Sequence, residues 1–196
     1  MNFQSDIDID LGNRDSALAH LKHISASIQR DGKLVKHNSG VYFTEIPVDP
    51  FSGMSSLEYK SAESRGYVKL DLLNVSLYNQ VESEEHLVEL METEPDWTML
   101  YDQAMGAQLM HIGNHYGTLI QMPEAVNTIP RLAMFLAVIR PAKRHLIGLS
   151  WAEVAKTVWE KPTDESYYFK KAHAVSYAHL VAVHMNLLRN SANQSN

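Results

Sequence analysis

The sequence predicts an α+β fold, with a small mixed β-sheet followed by a mainly helical C-terminal half. Three observations predict it. "DIDIDL" (residues 6–11) alternates polar and apolar residues strictly, which is the strand period. "YVKLDLLNV" (residues 67–75) is a second strong strand pattern. From Trp97 onward the apolar residues recur at helical spacing. Strands dominate the first part and helices the second, a segregation that departs from alternating βαβ units.

The elements are expected in the following order. In the first strand Ile7, Ile9 and Leu11 face a core, and Asp6, Asp8 and Asp10 share the other face. Asn13 is an N-cap for a helix over "RDSALAHLKHISASIQ", whose stripe is Ala17, Leu18, Leu21, Ile24 and Ile28. "GVYFTEI" reads as a strand beginning at Gly40, and "VDPFSG" as a turn-rich loop. The strand Tyr67 to Val75 leads into a helical "SLYNQVESEEHLVELM". "WTMLYDQAM" is a short helix, and "PRLAMFLAVI" is a buried one with Pro130 at its start. "SWAEVAKTVWEK" carries a capping box, Ser150 with Glu153. "KAHAVSYAHLVAVHMNLL" is a long, largely buried helix, and the polar "NSANQSN" frays after it.

With 196 residues, 45% of them hydrophobic, the chain suits one globular domain with a small helical annex. The absence of cysteine excludes disulfides and thiolate metal sites and fits a reducing cytoplasm. No signal peptide is read at the acidic N-terminus. The longest apolar run, Leu132 to Ile139, is far short of the ~20 residues that a bilayer requires, so no membrane partner is expected. A formal net charge of −6 argues against tight, unaided binding of DNA or RNA. The charge is uneven, however: "IRPAKRH" and "FKKAH" are basic islands that could touch a polyanion.

Like charges at alternate strand positions repel, so folding alone does not favour three aspartates there. A bound cation accounts for them. Asp71 on the second strand, with Lys69 two residues earlier on the same face, can join Asp6 and Asp8 if the strands pair. Hard oxygen ligands of this kind suit Mg²⁺ or Mn²⁺, and two such ions can serve phosphoryl chemistry. The spacing fits equally an exposed acidic edge strand that discourages aggregation. "HIGNH" places His111 and His115 four apart like a zinc helix, but Gly113 lies between them and no third ligand is near. Met99, Met105, Leu109 and Met110 read as core, and Trp151 and Trp159 as packing residues.

Four segments stand in order along the chain: "SDIDIDLGNRD" (5–15), "KHNSGVY" (36–42), "GYVKLDLLNV" (66–75) and "FKKAHAVSYA" (169–178), with a weaker fifth in "LAVIRPAK" (136–143). They resemble P-D-x-D-x-D-F, K-H-A-[AG]-G-V-V, G-L-V-K-x-D-x-L-G-L, F-N-K-S-H-[SA]-x-A-Y-[AG] and L-x-R-P-G-P. That motif series belongs to the bacterial C-family replicative DNA polymerase, the DNA polymerase III alpha subunit. The resemblance implies a nucleotidyltransferase-type palm over residues 1–95, a fingers-like helical part over 96–189 packed on it, and a disordered tail over 190–196. It implies that Asp6, Asp8 and Asp71 hold two Mg²⁺ or Mn²⁺ ions, with Lys69 near the reaction centre. Asp10 matches an acid that is not a principal ligand in the family. His37 and Gly40 match the motif lying against the active site, and Gly40 could equally serve a bulge or a positive φ. Arg140, Lys170, Lys171 and His173 match residues near the incoming nucleotide, although His173 and Tyr177 read equally as helix packing. The implied partners are a DNA primer-template and a dNTP. The implied setting is the cytoplasm, or a host cytoplasm if the chain is of phage origin.

The chain departs from the family in length. The family's N-terminal phosphoesterase-like domain, thumb, clamp-binding region and OB domain find no room in 196 residues. Members of the superfamily usually carry a Gly-Ser or Gly-Gly turn before the D-x-D, and five residues precede Asp6, so the triphosphate clamp is either missing or supplied from elsewhere. Ser5 stands in place of the motif proline and Ala142 in place of the R-P-G-P glycine. The family's run of fingers lysines is replaced by "LSWAEVAKTVWEKPTDESYY". A protein partner that supplies basic grip on DNA is therefore expected. Two functions follow: a minimal metal-dependent nucleotidyltransferase that extends a primer, or a polymerase-derived binding or assembly protein whose aspartates form a solvated acidic face.

Overall fold

The strand that carries the aspartates lies at the edge of a four-stranded mixed sheet, in the order β1-β4-β3-β2. The computed structural model describes residues 7–164 and 166–194, divided into the units Met1–Val81 and Glu82–Asn196. In the first unit β1 (Ile7–Leu11) runs parallel to β4 (Leu70–Asn74), while β3 (Lys33–Tyr42) is antiparallel to both β4 and β2 (Ile24–Arg30). The α+β class and the mixed sheet are as the sequence predicts.

The edge position corrects one expectation. Ile7 and Ile9 do not face a core; they are 44% and 39% exposed, because β1 has a neighbour on one side only. Leu11 packs with Leu70 against buried Leu18, Val41 and Leu72.

A second correction concerns the first helix. Asn13 caps it as expected, accepting the Ser16 amide at 2.9 Å, but α1 (Arg14–Ala19) stops well before Ile28. Ile24–Arg30 is strand β2. The dipeptide Asp31-Gly32 adopts positive φ at both positions, 49° and 76°, and turns the chain into a hairpin with Arg30 opposite Lys33. Such a turn matches strand twist and favours this pairing. Cross-strand partners and β-branched isoleucines outweigh the helical stripe. The strand expected from Gly40 therefore begins at Lys33 and ends at Tyr42.

The hairpin is irregular at one place. Ser25 pairs with Val41 and Ser27 with Lys36, so residues 37–40 of β3 oppose the single residue Ala26 of β2. This bulge contains the "HNSG" of the second motif. On the sheet face that carries Asp71 lies α2 (Tyr59–Ser64), whose Ala62 is buried with Ala26, Tyr42 and Ile46. Gly66, at φ 88°, ends the turn after α2 and redirects the chain toward β4.

The stretch after β4 is a 3₁₀ turn (Ser76–Gln80) and then α3 (Glu84–Glu92), capped by Ser83, in place of one long helix. Here α3 belongs with the second unit: buried Asn186 donates to the carbonyls of Leu90 at 2.9 Å and Thr93 at 2.8 Å. "WTMLYDQAM" is likewise divided, into a 3₁₀ turn capped by Asp96 and α4 (Gln103–Gly106) capped by Asp102. After α5 (Tyr116–Leu119) comes α6 (Ile129–Val138), begun by Thr128 and Pro130 and buried over most of its length. The capping box of Ser150 and Glu153 opens α7 (Trp151–Thr157). The long helix α8 (Lys171–Gln194) continues through residues 190–194, which the sequence reading assigns to a frayed tail. Met99 and Leu109 are in the core, with Met105 and Met110 packed against it, as expected. Trp151 is buried and its indole donates to the Glu124 carbonyl at 3.1 Å.

Among the described residues no helix is long and apolar enough to cross a membrane.

Candidate functional site

Asp71 is the centre of the arrangement in the sheet unit. It sits on β4 between Asp8 of β1 and Gly40 of β3, each its direct register partner. Register partners on adjacent strands point to the same face, about 4.8 Å apart along the sheet. Asp8 and Asp71 therefore share one face. Asp8 is exposed, whereas Asp71 is only 8% exposed.

Each oxygen of Asp71 is occupied. The Ser39 hydroxyl donates to Oδ1 at 2.8 Å, and the Lys69 ammonium donates to Oδ2. Both charged side chains are largely shielded, at 16% exposure for Lys69 and 12% for Asp71. Lys69 also stands over the Tyr59 ring, 5.6 Å from its centroid.

His37 lies beside this pair, its Nδ1 3.7 Å from Asp71 Oδ1. The approach is not an ion pair. Nδ1 accepts the Gly40 amide at 2.9 Å and the Ser39 amide at 3.4 Å, so it carries a lone pair and the ring proton belongs on Nε2. Burial, and then the Lys69 charge, hold the imidazole below its ordinary pKa, which keeps it neutral. Tyr59 packs edge-on against it at 5.3 Å.

Gly40 is explained by close approach. Its φ is not positive, which corrects one of the two reasons offered for it. A Cβ there would stand 2.8 Å from Lys69 Cδ, 3.0 Å from the Ala26 Cβ and 3.0 Å from His37 Nδ1. The missing side chain is what lets the bulge fold His37 and Ser39 toward Asp71.

The sequence-predicted residues thus fall in two groups. Asp8, His37, Gly40, Lys69 and Asp71 come together in the sheet unit. Asp6 lies outside the described residues. Asp10 is on β1 opposite Leu73, where its charge, after burial, helps to raise the Tyr78 hydroxyl pKa. Arg140 and His173 meet in the helical unit around Phe169: the Arg140 guanidinium lies 3.8 Å over the ring and the His173 ring is 5.3 Å away. Lys170 and Lys171 are exposed where α8 begins. The basic island around Arg140 is only partly surface, since Lys143 is buried and donates to the Thr157 carbonyl at 2.7 Å, closing the end of α7.

Sequence reasoning missed Tyr59, Ser39 and Arg14. Ser39 stood inside a quoted motif and carried a usable signal; Tyr59 reaches the site only through α2. Arg14 is mostly shielded, and its guanidinium points to the Ser39 carbonyl at 3.4 Å.

Two carboxylates matched across adjacent strands are hard oxygen donors of the kind that Mg²⁺ and Mn²⁺ take. Among the described residues no group of three or more such side chains is assembled. Comparison with known proteins finds no family model, no curated protein and no solved structure that matches the chain.

Proposed function

We propose that the sheet unit is a palm-like, nucleotidyltransferase-type core that uses two divalent cations to extend a primer 3′-hydroxyl with deoxynucleotides. One observation carries the reading: Asp8 and Asp71, from separate motifs, are direct register partners on parallel strands and share a face. Asp8 and Asp71, with Asp6 as the third carboxylate, would hold Mg²⁺ or Mn²⁺. Such ions supply Lewis acidity to the attacking hydroxyl and to the α-phosphate.

The chain's own residues supply position and charge. Ser39 fixes the Asp71 carboxylate through Oδ1. Lys69 is a cation that pairs with Asp71 in the free protein and can turn to a phosphate oxygen when substrate arrives. His37 is neutral, with its Nε2–H as a donor and no charge to compete for the carboxylates. In the reaction the 3′-oxygen would bond to the α-phosphorus as the bond to pyrophosphate breaks, and the hydroxyl proton would pass to solvent water. On the helical unit, Arg140, Lys170, Lys171 and His173 are proposed to bind a nucleotide, and a protein partner is proposed for the grip on DNA that a net charge of −6 does not provide.

The second reading, a binding or assembly protein without catalysis, is favoured by a specific observation: Lys69 already neutralises Asp71, as in a structural ion pair. Primer extension separates the two. The purified chain is incubated with primer-template, dNTPs and Mg²⁺ or Mn²⁺, beside Asp8→Asn and Asp71→Asn. Extension by the wild type and by neither variant is expected. No extension, with a melting temperature indifferent to Mn²⁺, would sink the catalytic reading and leave the binding one.

A further inference from the structure

The segment "HIGNH" forms neither a helix turn with two ligands on one face nor a plain loop. His111 adopts φ 61°, a left-handed conformation uncommon for a residue other than glycine, although histidine, like asparagine and aspartate, enters it more readily than most. That conformation turns its ring into an aromatic stack. The imidazole meets Tyr177 edge-on at 4.3 Å, Tyr177 stacks on Phe169 at 5.7 Å, and Arg140 covers Phe169 at 3.8 Å. His173 touches both Phe169 and Tyr177.

Among the described residues, two side-chain nitrogens of this stack are shielded from solvent and have no hydrogen-bond partner: His111 Nε2 and Arg140 Nε. Buried polar groups are nearly always paired; Arg140 Nε is always a donor and calls for an acceptor, and a protonated His111 adds a second donor. The surrounding charges point to its sign. His111 faces Arg140 and His173; His115 faces Arg140 and Arg144; Arg140 faces Tyr167 and Tyr177. Among the described residues no carboxylate acts on any of the three. A half-buried guanidinium with no counter-ion among the described residues is stabilised when an anion joins it.

We propose that His111 completes, with Arg140, a binding site for a phosphate-type oxyanion, with His115 beside it. It deepens the nucleotidyl-transfer reading, which expects Arg140 near a nucleotide, by adding residues that lie outside every resembling motif. It stands on the helical unit alone. The anion is either the polyphosphate end of a nucleotide or a free phosphate species, and the two share the same oxygen chemistry.

In the free chain burial and the Arg140 charge hold His111 below its ordinary pKa. An oxyanion between them reverses that balance, so binding takes up a proton. The test is calorimetric titration of the full chain with sodium pyrophosphate, with the His111 ring followed by NMR across pH. Wild type, His111→Asn and Arg140→Gln are compared. Asparagine tolerates the left-handed backbone, so His111→Asn removes the ring with the least strain. Binding is expected to raise the His111 pKa by about one unit and to weaken about tenfold in either variant. No binding by the wild type, an unmoved His111 pKa at saturation, or wild-type affinity in His111→Asn would each overturn the proposal. Tighter binding of dATP than of pyrophosphate assigns the anion to a nucleotide; equal binding assigns it to a free phosphate species. Pyrophosphate binding with the His111 shift, but without primer extension, keeps this site and removes the polymerase reading.

Discussion

Replacing Gly40 with alanine tests whether the bulge, and through it the site, depends on one missing methyl group. The added Cβ would meet three neighbours at 2.8 to 3.0 Å, inside ordinary van der Waals contact. One of them, Lys69 Cδ, is part of a flexible chain and can move. The other two cannot move freely: Ala26 is fully buried on the facing strand, and His37 is held by the Gly40 amide itself. Overpacking of this kind costs about 1–3 kcal/mol. Alanine is favoured over glycine inside a strand by roughly 0.5–1 kcal/mol, which offsets part of it. The net expectation is a loss of about 0–2.5 kcal/mol in urea unfolding. Ala26→Gly in the same chain removes one of the two rigid contacts, and the double mutant should recover about 1 kcal/mol relative to additivity. If Gly40→Ala is as stable as the wild type and shows no coupling to Ala26→Gly, close approach is not the reason for glycine there.

Three further outcomes follow from the same geometry. Asp8→Asn, on an exposed edge, should change stability by less than about 0.5 kcal/mol. Asp71→Asn leaves Lys69 shielded without its partner and should cost about 1–3 kcal/mol; equal melting temperatures for the two variants would contradict the burial difference. His37 titrates below its ordinary 6.5 in the folded chain, so the unfolded chain takes up its proton first and stability falls as pH drops below that value. His37→Gln should flatten the loss of urea stability between neutral and mildly acidic pH, and an unchanged slope would show that His37 contributes none of it. Asn186→Ala removes two hydrogen bonds to the end of α3 and opens a cavity, for a loss of about 2–3 kcal/mol by denaturant titration; a loss under about 0.5 kcal/mol would mean that α3 is held by its apolar face alone.

The strands that carry the aspartates were legible because alternation is a local signal and both carry it strongly. Strand β2 was not, although Asp31-Gly32 was present in the sequence as a hairpin turn. The residues Leu18, Leu21, Ile24 and Ile28 satisfy a helical stripe, and spacing alone could not show that Ile28 would find Val35 across the hairpin. Edge position was equally hidden: β1 has the pattern of a half-buried strand, and only the sheet order exposes Ile7 and Ile9. Within the site, Asp8, Lys69 and Asp71 followed from motif and register. Tyr59 and the neutral state of His37 depended on how α2 and the bulge pack. The His111–Tyr177–Phe169–Arg140 stack joins segments far apart in sequence, and neither periodicity nor motif spacing could bring them together.

The two carboxylates paired across β1 and β4 pose different questions, and a single account has to answer both. A structural ion pair with Lys69 explains how Asp71 is tolerated at 8% exposure, but gives no reason for a second carboxylate in direct register beside it. A charged edge that discourages strand addition explains Asp8 and Asp10 on β1, but not why an acid is placed on the interior strand β4. Repulsion between register partners is a continuing cost to both readings. In the proposed reading, a cation shared by Asp8 and Asp71 would turn that cost into binding energy, and it would leave Lys69 with a role on either side of the event: counter-ion to Asp71 before substrate arrives, and partner to a phosphate oxygen afterward. That economy is the reason to place the primer-extension test, with its Asp8→Asn and Asp71→Asn controls, ahead of any search for a binding partner.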